Sequence, residues 1–248
     1  MTIRLRKKLT LFLLLFYWVV IFILAHIPIP ELVYKARVSD KTIHFLAYLI
    51  LVFLFWFASN PGRKVNWWKA SVWWVFLITA VYAVIDELLQ GYVGRNCDAV
   101  DFAADLVGAF AGLILFSFFT FWPAFLIVTG VTIFLLANLA KANLAELVPV
   151  TNFAFHLFAY ALFSLVWIQI MSERIHLKSQ KLKWLIVALA LPIGLLLIVK
   201  LSSILLGRNV GLPDIVISVA AIASVVGVTF LTGLFRRRFS DDLTTPSQ

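Results

Sequence analysis

Asp40-Lys41-Thr42-Ile43-His44-Phe45-Leu46-Ala47-Tyr48 returns 112 residues later as Asn152-Phe153-Ala154-Phe155-His156-Leu157-Phe158-Ala159-Tyr160. A second pair follows at an offset of 113: Gly94-Arg95-Asn96 with Asp101, then Gly207-Arg208-Asn209 with Asp214. Offsets this close mean that most of the chain is one unit written twice. Asp86, Glu87, Gln90, Asp98 and Asp105 belong to the first unit, where the second has Val199, Lys200, Ser203, Gly211 and Ser218. Working outward, each motif sits in a strongly apolar run, and ionisable groups in such runs are seldom idle.

Hydrophobic residues make up 63% of the chain, well above the roughly 45–50% of an ordinary soluble domain. The mean hydropathy is +1.01. Several apolar runs approach or exceed the ~18 residues needed to cross hydrocarbon. The expected fold is therefore an all-α polytopic membrane protein of about eight transmembrane helices. The spans read as Leu9–Ala25, Ile43–Ser59, Trp68–Leu89, Val100–Phe119, Pro123–Ala140, Asn152–Met171, Trp184–Leu206 and Pro213–Phe235. They divide into two four-helix repeats, residues 9–119 and 123–235. An even number of spans per repeat gives both copies the same orientation, hence two parallel repeats. Ala25-His26-Ile27-Pro28 lacks a small-x-small cleavage pattern, so the first apolar run reads as a retained span. The segment after Arg238 reads as a short disordered end.

The net charge of +9 does not point to nucleic acid. Fourteen of the 21 Lys and Arg lie in four clusters beside apolar spans: Arg4/Arg6/Lys7/Lys8, Arg63/Lys64/Lys69, Arg174/Lys178/Lys181/Lys183 and Arg236/Arg237/Arg238. With alternating spans these clusters share one side, which the positive-inside rule makes cytoplasmic, with both termini. Nine of the 12 acids fall at or near the other side. Cys97, the single cysteine, allows no internal disulfide. No phosphate-binding loop, dinucleotide fingerprint, zinc-protease helix or nucleophile elbow occurs, which argues against those enzyme classes. Nothing in the sequence fixes an oligomeric state.

Three spans and one loop of the first unit bring their polar groups to the same membrane face. His44 and Tyr48 are four apart and share a helix face. Asp40 stands at the start of that helix, where a carboxylate caps and suits the positive end. Gln90 is within one helical turn of both Asp86 and Glu87. Asp98, Asp101 and Asp105 fall at i, i+3, i+7, which predicts one stripe of carboxylates. An unpaired charge at the bilayer centre costs at least ~2.5–3.5 kcal/mol, so these groups must face one another or a wet cavity. His44, Asp86, Glu87 and Asp101 are the candidate acid–base residues. Lys41, Tyr48, Gln90 and Arg95 are the candidate ligand-binding residues. Asp98, Asp101 and Asp105 form an oxygen-rich set that would suit Mg²⁺ or Ca²⁺. A purely structural reading treats Asp40 as a cap and an Arg95–Asp101 pair as a hairpin clasp. It leaves Asp86, Glu87, Asp98 and Asp105 without a role. Gly108-x-x-x-Gly112 reads as a packing face, and Trp67, Trp68, Trp73 and Trp74 as an interfacial belt. Lys200 is placed to pair with Asp214 or with an acid of the first unit.

Asp40-Lys41-x-x-His44-Phe45-x-x-Tyr48, then Asp86-Glu87-x-x-Gln90, then Gly94-Arg95 with Asp101 and Gly108, resemble the VanZ-like family of bacterial membrane proteins. The resemblance covers residues 9–119. The second unit looks like a degenerate copy that keeps His156, Tyr160, Arg208, Asn209 and Asp214. The resemblance implies an envelope protein of the bacterial cytoplasmic membrane and a link to low-level teicoplanin resistance. The polar site, facing the extracytoplasmic side, would bind or modify a lipid or lipid-linked envelope precursor. Two alternatives fit the same residues: a proton-coupled transporter or flippase, and a non-catalytic membrane scaffold.

Overall fold

The structure is a computed structural model that describes residues 3–26, 40–93, 97–139, 149–174, 182–208 and 210–244. Among the described residues eight helices follow in order: α1 Ile3–His26, α2 Asp40–Ser59, α3 Ala70–Tyr92, α4 Ala99–Phe118, α5 Phe121–Leu139, α6 Pro149–Arg174, α7 Leu182–Leu205 and α8 Leu212–Thr244. No strand occurs among the described residues. All eight are long and apolar enough to cross a membrane, so the chain is a multi-pass membrane protein. Phe12, Leu24, Phe158 and Val216 are largely exposed, as expected where lipid rather than water meets the surface. Asp86, Glu87, Gln90 and Asp105 are buried, because hydrocarbon offers such groups no partner.

The chain separates into two compact units. One comprises Met1–Val128 with Leu139–Ala142, the other Thr129–Asn138 with Asn143–Gln248. The division thus falls within α5.

In the first unit α2 packs most closely on α4. Gly108 is the reason. A Cβ there would lie 2.3 Å from the Phe45 carbonyl oxygen, which is backbone and cannot swing aside. One turn on, a Cβ at Gly112 would meet Val52 Cγ1 at 3.2 Å. Two glycines four apart therefore let α4 lie directly on α2. α1 covers α2 and α3: the Tyr17 hydroxyl donates to the Ala47 carbonyl at 3.0 Å, and Trp18 meets Tyr82 edge-on at 5.2 Å. At the far end, Trp56 Nε1 donates to Arg63 O and Trp67 Nε1 to Ser117 Oγ, both at 3.0 Å. Trp68, Trp73 and Trp74 are exposed beside them, as in an interfacial belt.

In the second unit α6, α7 and α8 pack on one another. α7 ends in a Schellman turn: Gly207 has φ +68°, its N–H donates to Ile204 O, and the Arg208 N–H donates to Ser203 O. Only glycine adopts that φ without strain. The expected disordered end after Arg238 is corrected: α8 continues to Thr244. No glycine or proline interrupts the sequence between Gly233 and Pro246, so nothing stops the helix earlier.

Candidate functional site

α2 begins, α3 ends and α4 begins at one end of the first unit, and the polar residues meet there. Asp98 is the N-cap of α4: its Oδ1 accepts from the Val100 N–H at 2.8 Å. Its Oδ2 accepts from Lys41 Nζ at 3.1 Å, and the same ammonium donates to Asp101 Oδ1 at 3.2 Å. The cap bond first, and then the Lys41 ammonium, hold the Asp98 carboxyl below its ordinary range. Lys41 and Asp98 are partly exposed and form the rim of the site, whereas Asp101 is buried beneath them.

Below the rim lies His44, one turn after Asp40. Its Nδ1 is 2.9 Å from Asp105 Oδ1 and 3.8 Å from Glu87 Oε1, and its Nε2 is 3.9 Å from Asp40 Oδ1. Asp105 is one turn before Gly108, so the close α2–α4 approach carries its carboxylate onto the imidazole. Glu87 reaches in from α3, with Oε2 held by the Asp98 backbone N–H at 3.1 Å. Asp86 turns to its neighbours on the other side: Gln90 Nε2 donates to its Oδ2 at 3.0 Å, and His26 Nδ1 is 3.9 Å from its Oδ1. The Tyr48 ring stacks on Tyr82 with centroids 5.9 Å apart.

Six buried atoms here have no hydrogen-bond partner among the described residues: Asp86 Oδ1, Glu87 Oε1, Asp105 Oδ2, the Tyr48 and Tyr82 hydroxyls and His26 Nε2. Orphaned buried polar atoms are scarce in folded proteins, and each calls for a reason.

The structure thus gathers Lys41, His44, Tyr48, Asp86, Glu87, Gln90, Asp98, Asp101 and Asp105. Arg95 lies outside the described residues, as do Gly94, Asn96 and Asn209. The three aspartates expected to share a cation do not converge. Asp98 and Asp101 share Lys41, while Asp105 faces His44. The groups whose ligand atoms do converge are His44, Glu87 and Asp105, and Asp40, His44 and Asp101. Two contributors were missed by the sequence reading. His26, the last residue of α1, ends at the same face as Asp86, and counting helix ends finds it. Tyr82 is one turn before Asp86, a spacing that was there to be read.

In the second unit the residues at the offset positions form a different set of contacts. Asn152 Nδ2 donates to Asp214 Oδ1 at 2.7 Å and Lys200 Nζ to Asp214 Oδ2 at 3.3 Å. His156 Nδ1 lies 3.1 Å from Ser218 Oγ. The expected Lys200–Asp214 pair is present.

No curated protein and no solved structure matches the chain. Residues 4–120 match the VanZ/LLP1 family, a stretch that holds α2, α3, α4 and every polar group just described for the first unit. Over that stretch the chain is similar to the VanZ/LLP1 family, within a multi-pass membrane protein.

Proposed function

We propose that the first unit binds, and through His44 modifies, the headgroup of a membrane lipid or lipid-linked envelope precursor. The basic clusters favour the extracytoplasmic side of the cytoplasmic membrane for the site, by the positive-inside rule. The observation that carries the reading is the His44–Asp105 contact. A buried carboxylate at 2.9 Å from Nδ1 orients the ring, so that Nε2 faces the rim as a general base. Lys41, at that rim, offers the ammonium that an anionic part of the ligand would meet first. Deeper in, the described groups are mostly acceptors. They suit a headgroup rich in hydroxyl or amine donors, which would also satisfy Asp86 Oδ1 and Glu87 Oε1. A site of this kind also gives a route by which teicoplanin susceptibility would change, through altered lipid-linked precursors.

The test is the lipid complement of the purified protein, read by native mass spectrometry in mild detergent. One headgroup class should be enriched on the wild-type protein and lost from His44→Ala and Asp86→Asn, with helicity unchanged. If both variants carry the wild-type complement, the site assignment fails.

A further inference from the structure

We propose that His44, Glu87 and Asp105 bind one first-row divalent metal ion, Zn²⁺ or Mn²⁺, rather than Mg²⁺ or Ca²⁺; in that loaded state His44 would be a ligand through Nδ1, its proton on Nε2, instead of the general base of the metal-free site. Geometry comes first. A ligand atom from each residue lies within 4.8 Å of the other two. His44 Nδ1 is 2.9 Å from one carboxylate oxygen and 3.8 Å from another. Ligands bound at about 2.0–2.2 Å sit roughly 3–3.5 Å from one another, so the two distances from His44 Nδ1 are within a few tenths of an ångström of those in a closed set.

The second observation is independent of spacing. Glu87 Oε1 and Asp105 Oδ2 are buried atoms without a hydrogen-bond partner among the described residues, on side chains 4% and 0% exposed. Glu87 Oε1 is the atom directed at His44, 3.8 Å away. A divalent ion would meet the Glu87 Oε1 orphan directly and balance the two carboxylates, which hydrocarbon would otherwise leave uncompensated.

The donor chemistry selects the ion. Mg²⁺ and Ca²⁺ prefer all-oxygen shells, whereas imidazole beside carboxylate suits first-row ions such as Zn²⁺ or Mn²⁺. Three protein ligands leave a position open for water or a ligand, as in catalytic zinc sites. The supports are in place: Glu87 is steadied through Oε2 by the Asp98 amide, and the α2–α4 register is fixed at Gly108. The second unit supplies a contrast. His156 has Ser218 at the Asp105 position and Lys200 at the Glu87 position, and a lysine there repels a cation.

The experiment is titration calorimetry on the chelator-stripped, tag-free protein in detergent, with Zn²⁺, Mn²⁺, Mg²⁺ and Ca²⁺ tested separately, and elemental analysis of bound metal. One Zn²⁺ or Mn²⁺ per chain is expected, with affinity at least tenfold lower in Glu87→Gln and Asp105→Asn. His156→Ala in the second unit should bind as wild type. If Asp105→Asn does not fold, Glu87→Gln carries the test, together with the Co²⁺ absorption bands of wild type, which must vanish in His44→Ala. The proposal falls if neither ion binds at one per chain, if Mg²⁺ or Ca²⁺ binds as tightly, or if Asp98→Asn weakens binding as much as Glu87→Gln. The titrated protein is first delipidated in excess detergent, so the failure of metal binding leaves the headgroup reading, read from the native lipid complement, standing.

Discussion

In the first unit His44 Nδ1 meets Asp105 at 2.9 Å, and in the second His156 Nδ1 meets Ser218 at 3.1 Å. His44 sits one turn into α2 and His156 two turns into α6, and both reach a residue one turn beyond an aspartate, Asp101 or Asp214. Each of those aspartates holds a lysine, but from a different helix: Lys41 on α2 in the first unit, Lys200 on α7 in the second. The cation has moved to the position that Glu87 occupies in the first unit. What both units keep is an aspartate with a cation and a histidine packed between helices, which is what the fold requires. What the first unit has alone is a set of buried carboxylates with orphaned oxygens. Structural needs are met in both, so that surplus is the part that calls for a ligand.

The comparison is most exposed at the helix contact. Gly108 corresponds by offset to Ala221, a buried alanine. Gly108→Ala puts a methyl 2.3 Å from a backbone oxygen and should destabilise by about 1–3 kcal/mol through overpacking. It should also separate His44 from Asp105 and abolish lipid retention. Gly112→Ala meets its neighbours at 3.2 Å or more and should cost less. Ala221→Gly should cost about 1 kcal/mol through helix propensity. Reversible unfolding in detergent would rank the three. If Gly108→Ala were no worse than Gly112→Ala, the close approach would not be what positions Asp105.

A smaller effect tests whether the lysines are interchangeable. Lys41→Phe copies Phe153 and leaves Asp101 without its ammonium, lowering the unfolding temperature. Adding Glu87→Lys copies Lys200 and should return most of the lost stability. It should not return the lipid complement, because the graft removes a site carboxylate. A double variant no more stable than Lys41→Phe alone would show that the two networks are not counterparts.

The eight spans were legible because apolar length alone decides them: expected and observed spans agree within a few residues at most boundaries. α8 ran longer than expected, since its charged end contains no helix breaker. The shared face of His44 and Tyr48 was legible from one helix's periodicity. Which acid faces His44 was not. That depends on three helices meeting, and so on how near α4 can come to α2 at Gly108. The stripe Asp98, Asp101, Asp105 failed as a ligand set for a local reason. Asp98 precedes the helix as its cap, and Lys41 is near enough to take it and Asp101 together. His26 was hidden because it belongs to a span whose sequence carries no part of the motif.

The rim offers the smallest and most specific test. Asp98 is held below its ordinary range by the Val100 N–H and then by Lys41; Gly211 stands at its counterpart in the second unit. A lowered folded-state pKa means that Asp98 binds its proton more readily when unfolded. Its contribution is therefore complete above the ordinary aspartate value of about 3.9 and is lost as pH falls below it. Because Asp98 is partly exposed, solvent screens the pair and the effect is slight. Unfolding temperature measured between pH 6 and pH 3 should fall a little less steeply for Asp98→Asn, whose amide oxygen still caps α4. At pH 6 the variant should be slightly less stable than wild type, and the two should converge near pH 3. Parallel curves would mean that the Lys41 bridge gives the rim no pH dependence. The first unit would then differ from the second only in its buried groups.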